Sequence, residues 1–126
     1  MPSSAEVQAC TWLTEAELNI YATEYARTGF QASLNWYHCR TSRAEDLLLQ
    51  AFSGQAINVP SCFIAGAKDW GIHQVPGVLE AMQTEACSRM TSCDLVANAG
   101  HWVQQEQPEA VVGLLFNFLS EVSQKT

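Results

Sequence analysis

The sequence predicts an α/β fold in its second half, and two observations carry that prediction. Two short apolar runs, 61–65 and 93–96, are each followed by a loop and then by a segment with a helical pattern. Apolar runs of this length fit buried strands of a parallel sheet, because such strands are covered on both faces. The repeated order of strand, loop and helix indicates parallel strands joined by crossover helices.

The first half of the chain predicts helices instead. Residues 1–11 are expected to form a loose lead-in. Thr14 and Glu17 have the spacing of a capping box and predict a helix over 14–28. Gly29 is placed to end this helix as a C-cap, with the aromatic ring that follows it packing back. A second helical stretch is then predicted up to Phe52, starting at about Leu34 and including the run Leu47, Leu48 and Leu49.

The elements of the second half follow in a regular order. They are predicted to be a strand over 61–65, a loop over 66–71, a helix from Pro76 to about Ser88, a strand over 93–96 and a helix over 108–122. Pro108 is expected to open the last helix, because proline suits the first helical position. The chain therefore divides into a helical segment, 1–56, and an α/β segment, 57–126.

Composition argues against several classes of partner. The formal net charge is −7, from 6 Lys and Arg against 13 Asp and Glu, and no basic cluster offsets it. Such a chain is not expected to bind nucleic acid or an anionic membrane surface. No apolar run approaches the roughly 18 residues of a membrane span. Five cysteines without a C-x-x-C pair, and a start without the features of a signal peptide, predict a reducing, cytoplasmic location.

Two predicted loops bring an aspartate and a histidine to the same edge of the sheet. Asp69 lies in the loop after the first strand, and His101 follows the second strand directly after a glycine turn. Loops at the carboxyl ends of parallel strands meet at one sheet edge, so we expect the two side chains to be close. A carboxylate on one imidazole nitrogen leaves the other nitrogen to act as a general base. The residues alone also fit an ion pair that ties two loops together, or a loop histidine without chemistry.

Three stretches cover most of the chain between about Trp12 and Leu119: WLTEAEL…GF…LNWY, FIAGAKDWG…PG and AGHWVQQEQPEAV…L..FL. Their sequences and their order resemble the epoxide hydrolases of the α/β-hydrolase fold. The resemblance implies that the chain is the carboxyl-terminal portion of that fold. It implies a helical cap-like segment over 1–56, followed by a core segment over 57–126 with two parallel strands and crossover helices.

The resemblance also implies roles for individual residues. Asp69 would be the triad acid, His101 the base that activates water, and Tyr37 the cap tyrosine that donates a proton to the epoxide oxygen. Trp36 and Trp102 are assigned to substrate binding. The substrate would be a small-molecule epoxide, with no cofactor and no metal. From the residue pattern alone, Tyr37 also fits an aromatic side chain packed beside Trp36.

Two parts of the family pattern are absent from the sequence. It contains no H-G-x-P loop and no nucleophilic aspartate in a G-H-D-W-G-like stretch before the cap. The stretch 67–71 has small residues two before and two after Asp69, as a nucleophile elbow has. However, Asp69 follows the cap and precedes His101, which is the position of the acid in the chain order of the family. We therefore expect the 126 residues alone to lack turnover and to be only partly stable.

Two other functions stay open at this stage. A dehalogenase with an aspartate nucleophile shares the fold, although Tyr37 within LNWY favours an epoxide, because halide release needs a halide-binding donor rather than a phenolic acid. The other is a truncated, non-catalytic product that binds a partner, or a second copy of itself, through an exposed strand edge. His38 and His73 are expected to be surface residues.

Overall fold

The computed structural model describes residues 3–41, 48 and 50–125. The chain forms two compact units, Met1–Ser53 and Gly54–Thr126. The first unit is helical, and the second combines helices with a sheet.

The first unit contains helices α1, Ser4–Gln8, α2, Glu15–Thr28, and α3, Gln31–Thr41. Helix α1 corrects the expected loose lead-in, and its alanine, glutamate and glutamine are good helix formers. Helix α3 begins three residues before the predicted start at Leu34, because the chain turns directly into it after the C-cap of α2. Much of the rest of the predicted second helix, including Leu47 and Leu49, lies outside the described residues.

The ends of α2 confirm the predicted caps. The Thr14 amide donates to the Glu17 carboxylate at 2.8 Å, and the Glu17 amide donates to Thr14 Oγ1 at 3.3 Å. Gly29 has a φ of 71°, in the left-handed region that glycine tolerates, and its amide donates to the Tyr25 carbonyl oxygen at 2.8 Å. The rings of Tyr25 and Phe30 stack with centroids 4.3 Å apart.

The sheet of the second unit has two parallel strands, β1, Ser61–Gly66, and β2, Met90–Val96. This confirms the predicted parallel pairing. Strand β2 begins three residues before the predicted start at 93, because Met90 already pairs with Ser61. Ladder hydrogen bonds satisfy the backbone whatever the side chains are, so the polar start of β2 is still strand.

The connection between the strands departs from the single helix predicted from Pro76 to Ser88. It consists of a 3₁₀ helix, Trp70–His73, helix α4, Val78–Ala81, and a π-helical turn, Met82–Ala86. Pro76 lies in a turn, and Gly77 has a φ of 80°, a conformation that a right-handed helix does not contain. The helical stretch therefore starts after the glycine rather than at the proline.

Two helices follow β2: α5, Val103–Glu106, and α6, Pro108–Gln124. Pro108 opens α6 as predicted. Helix α5 is absent from the predicted elements because four residues are too few to show a helical period. No helix among the described residues is long and apolar enough to cross a membrane.

The core of the second unit is small and lies at the carboxyl ends of the strands. Ala99, Val103 and Val111 are buried, and Ile64 and Val96 pack against them. Ala99 is fully buried, two residues before His101. The loop that carries the histidine is therefore anchored directly in the core.

Candidate active site

Asp69 and His101 are in direct contact at the carboxyl ends of the two strands. His101 Nδ1 lies 3.0 Å from Asp69 Oδ1. The same oxygen accepts a hydrogen bond of 2.8 Å from the Gly71 amide, because Asp69 is the N-cap of the 3₁₀ helix. The Asp69 side chain is 12% exposed and the His101 side chain 51% exposed. A fixed, buried carboxylate thus holds an imidazole that reaches solvent.

Backbone hydrogen bonds join the two loops that carry this pair. The Ala67 amide donates to the Val96 carbonyl oxygen at 2.8 Å, and the Lys68 amide donates to the Ala99 carbonyl oxygen at 2.9 Å. The bonds extend the parallel ladder past the end of β1. The loops therefore keep a fixed separation, which brings the two side chains within reach of each other.

The turn out of β2 depends on two residues in different ways. Asn98 has a φ of 60°, a left-handed conformation that asparagine adopts more readily than other non-glycine residues. Gly100 has no positive φ, and a Cβ there would lie 3.3 Å from Glu106 Oε1, a tight contact with the end of a flexible side chain. The expected glycine turn is thus an asparagine turn in which Gly100 lies close to the Glu106 carboxylate.

Glu106 is a residue of this site that the sequence analysis did not single out. Its Oε2 accepts a hydrogen bond of 2.7 Å from the Gly100 amide, and its Oε1 accepts one of 3.0 Å from the Trp102 amide. These two amides belong to the residues on either side of His101. The signal in the sequence was a glutamate three residues after the first residue of a four-residue helix, a spacing that is too common to predict the contact.

Two indole rings flank the imidazole. Trp70 stacks on His101 with centroids 5.7 Å apart and an interplanar angle of 23°. Trp102 meets it edge to face at 5.3 Å and 76°. Trp70 was not among the predicted site residues, although it directly follows Asp69. Both indoles are at least half exposed, so the histidine lies at an aromatic surface.

Burial and hydrogen bonding act in opposite directions on the Asp69 carboxyl. Burial alone would raise its pKa. The Gly71 amide, the hydrogen bond with His101 and the charges of His101 and His73 together outweigh burial, so the pKa of Asp69 lies below its ordinary value. Asp69 is therefore ionised at neutral pH and accepts a hydrogen bond from the Nδ1–H of His101. In the neutral imidazole this leaves Nε2 unprotonated, as a general base requires.

The other predicted site residues lie in the first unit, on α3. Tyr37 is 65% exposed and Trp36 is 76% exposed. The Tyr37 carbonyl oxygen accepts a hydrogen bond of 3.0 Å from Thr41 Oγ1. Within the described part of the chain, neither aromatic ring takes part in a stacked or edge-to-face pair. His38 and His73 are exposed, as predicted.

Among the residues that the structure describes, no group of three His, Cys, Asp or Glu side chains could hold a metal ion. The site consists of an acid, an imidazole, a clamp of backbone hydrogen bonds and two indoles.

Known proteins that are similar to this chain include two epoxide hydrolases of one organism. Epoxide hydrolase A of Mycobacterium tuberculosis is 36% identical over 124 residues, which are 95% of this chain and 35% of that protein. Epoxide hydrolase B of the same organism is 36% identical over 112 residues, 86% of this chain and 30% of that protein. No family model matches the chain.

Solved structures give the same result. An epoxide hydrolase from an endophytic Streptomyces has a TM-score of 0.81 and 34% identity, covering 91% of this chain and 34% of that one. Epoxide hydrolase I of potato, Solanum tuberosum, has a TM-score of 0.75 and 28% identity, with 88% and 35% covered. The chain spans about a third of the length of these relatives.

Proposed function

We propose a function from the premise that the chain belongs, as a segment of about a third of their length, to the epoxide hydrolases of the α/β-hydrolase fold. The predicted fold class, the carboxyl-terminal portion of that fold with two parallel strands, is confirmed by the same comparisons. Family membership of this segment does not by itself give the activity of the whole protein that contains it. We propose that these residues serve the hydrolysis of a small-molecule epoxide to a vicinal diol.

The contact between His101 and Asp69 is the observation that carries this proposal. We assign Asp69 as the acid that orients the imidazole and His101 as the base that activates water. Support comes from the 3.0 Å contact at Nδ1, the lowered pKa of Asp69 and the half-exposed imidazole. Such a pair deprotonates water, which is the second half of an epoxide hydrolysis.

The proposed reaction has two covalent steps. A carboxylate from outside these 126 residues attacks an epoxide carbon; the carbon–oxygen bond breaks, and an ester forms. The leaving oxygen takes a proton from the Tyr37 phenol, because a phenolic O–H can donate to an oxygen that gains charge. His101 then removes a proton from water, and the hydroxide adds to the ester carbonyl carbon. Collapse of the adduct breaks the ester carbon–oxygen bond, and the proton of the added hydroxyl passes to the departing diol oxygen, which restores the carboxylate. The proton held by His101 returns to the Tyr37 phenolate, which completes the cycle.

Two indoles and two segments complete the assignment. We propose that Trp36 and Trp102 contact the substrate; for Trp102, the support is an indole that is 50% exposed beside His101.

We propose that 1–56 is a cap-like segment and 57–126 a core segment. The five cysteines without a C-x-x-C pair support the proposal of a cytoplasmic location.

The surroundings of Asp69 favour the acid role over the nucleophile role. A nucleophilic carboxylate needs an oxygen that is open to the substrate, and the Asp69 side chain is only 12% exposed. Its Oδ1 is already engaged by the Gly71 amide and by His101. A 3₁₀ helix follows Asp69, whereas a nucleophile elbow leads from a strand into a helix through one sharp turn.

A non-catalytic role is the second proposal, and the sheet is the observation that favours it. Within the described residues each of the two strands has one strand partner, so each strand also has an unpaired edge. Unpaired edges accept further strands. Under this proposal the chain associates with a second copy, which sedimentation over a range of protein concentrations would detect as a reversible dimer.

The test begins with the gene and continues with an assay. The nucleotides upstream of Met1 are read in frame, and an H-G-x-P loop followed by a G-H-D-W-G-like stretch is expected. The full-length protein is then given an epoxide and a matched alkyl halide; diol formation without halide release supports the proposal, and preferential halide release supports a dehalogenase. Asp69→Asn and His101→Gln should each abolish turnover, while the exposed control His38→Gln should retain it. An upstream stop codon would overturn the proposed activity.

A further inference from the structure

The structure shows that both oxygens of one carboxylate bind the backbone on either side of His101. We propose that Glu106 is a positioning residue for His101, which fixes the direction of the imidazole toward Asp69 by holding the Gly100 and Trp102 amides. The geometry stands without any assumption about activity. Its kinetic consequence rests on the proposed epoxide hydrolysis.

Glu106 accepts two hydrogen bonds from the backbone. Oε2 takes the Gly100 amide at 2.7 Å, and Oε1 takes the Trp102 amide at 3.0 Å. Together they hold the peptide plane between Ala99 and Gly100 and the plane between His101 and Trp102. The backbone is thus restrained one residue before His101 and directly after it, which limits the direction of the His101 Cα–Cβ bond. Bonds of an amide to a carboxylate are stronger than bonds to a neutral acceptor, so one side chain can restrain both planes.

Glu106 is itself held in place. Its amide donates to the Trp102 carbonyl oxygen at 2.9 Å, inside the short helix α5. Val103 at the start of α5 is buried against Ala99 in the core. The carboxylate therefore projects from an anchored helical turn back over the loop that precedes it, and its own side chain is half-buried.

His101 needs this support. The imidazole is half exposed, and its side-chain hydrogen bond to protein among the described residues is the one to Asp69. The turn that delivers it contains a left-handed asparagine and a glycine without a side chain to pack. Glu106 adds a backbone restraint on both sides of His101 to the anchoring that Ala99 and the two indoles provide.

The contacts also distinguish positioning from direct catalysis. Glu106 binds backbone amides, whereas Asp69 binds the imidazole. Replacing Glu106 by Gln keeps the size but puts an amide NH₂ where one of the two acceptors was, so one hydrogen bond is lost. Replacing it by Asp keeps the charge on a side chain one methylene shorter, which cannot reach both amides from the same backbone.

The test compares Glu106→Gln and Glu106→Asp with the control Glu109→Gln in the full-length protein. Glu109 is an exposed acid in the first turn of α6. The first measurement is hydrogen exchange of the Gly100 and Trp102 amides, resolved by mass spectrometry on peptides spanning 98–104. In each Glu106 variant we expect exchange at least about tenfold faster at the amide whose hydrogen bond is lost, and unchanged exchange in the control.

The second measurement separates the two covalent steps by rapid mixing with an epoxide. We expect ester formation at the wild-type rate and ester hydrolysis slowed on the order of 10²-fold, because only the second step uses His101. A merely destabilised protein would lose both steps in the same proportion. Glu106→Asp is expected to be slowed less than Glu106→Gln, because each variant keeps one of the two hydrogen bonds but only aspartate keeps the charge that strengthens it.

The outcomes separate this inference from the proposed function. If the wild-type protein forms no diol, the proposed function fails, and the exchange measurement still tests the two hydrogen bonds from the Gly100 and Trp102 amides to Glu106. Unchanged exchange in both Glu106 variants shows that these hydrogen bonds do not restrain the loop. Faster exchange with an unchanged rate of ester hydrolysis overturns the positioning role.

Discussion

A Cβ atom added to Gly66 would overlap the backbone carbonyl oxygen of Gly100. The last residue of β1 thus lies directly against the loop that presents His101, with Ala99 equally close. The absence of a side chain at one position sets the distance between the two loops of the site. The overlapping atoms are backbone, so an added methyl group cannot be accommodated by a rotamer change.

Gly66→Ala should therefore disrupt the site and destabilise the protein. Overpacking of this kind costs about 1–3 kcal/mol, and the displaced loop should separate His101 from Asp69. The matched control is Gly113→Ala in α6, where a Cβ meets nothing within 4 Å. There the change should raise the free energy of unfolding by about 0.5–1 kcal/mol, because alanine favours a helix over glycine. Urea titration of both variants measures the change in the free energy of unfolding. Equal changes in the two variants would contradict the close approach of Gly66 to the backbone of Ala99 and Gly100.

The lowered pKa of Asp69 predicts a pH-dependent contribution to stability. Its folded-state pKa lies below the unfolded value, so the ionised form stabilises the folded protein. This contribution is present in full above the unfolded pKa of about 3.9 and is lost as the pH falls through the lower folded value. The free energy of unfolding should differ between wild type and Asp69→Asn at pH 7, and the difference should shrink toward pH 3. A difference that does not change over this range would contradict the assignment.

The stacking of Trp70 on His101 predicts an effect on turnover with a modest effect on folding. Trp70 is 62% exposed, so Trp70→Ala should lower the free energy of unfolding by no more than the stacking contact is worth, about 0.5–1.5 kcal/mol. Loss of an aromatic contact worth about 0.5–1.5 kcal/mol should slow ester hydrolysis up to about tenfold. Trp70→Phe keeps a ring and is the control. A Phe variant as slow as the Ala variant would show that stacking is not the cause.

The features that the sequence predicts correctly are the ones that depend on local residue patterns or on the topology of the sheet. The capping box of Thr14 and Glu17 follows from spacing alone, and Pro108 from the geometry of a helix start. The contact of Asp69 with His101 follows because both loops leave the same edge of a parallel sheet. Patterns of a few residues were enough for the helix ends, and the order of strands and loops was enough for the contact of Asp69 with His101.

The remaining features depend on contacts that no short pattern contains. Gly77 interrupts the predicted helix because of its backbone conformation in the folded chain. Glu106 contributes through backbone amides, which any sequence possesses, so its role is visible only in three dimensions. The position of Trp70 in the sequence does not indicate that its ring stacks on His101 in the folded protein. Helix α1 was missed because five residues carry too little periodicity.

The 126 residues expressed alone should form no diol and should unfold with low cooperativity. The buried core of the second unit is small, while large apolar side chains of α6, such as Phe116 at 66% and Leu119 at 56%, remain exposed. An apolar surface of this kind binds hydrophobic dyes and favours association. Thermal unfolding and dye binding measure this, with the full-length protein for comparison. A sharp transition without dye binding would contradict the expectation.

The most direct test of the central assignment, Asp69 as acid and His101 as base for ester hydrolysis, is intact-mass analysis of His101→Gln in the full-length protein during reaction with an epoxide. The variant should accumulate one covalent adduct per chain, since the ester forms but water is no longer activated. Peptide mapping should place the adduct on a carboxylate outside these 126 residues. Absence of an adduct in an otherwise folded variant, or an adduct on Asp69 itself, would contradict the assignment.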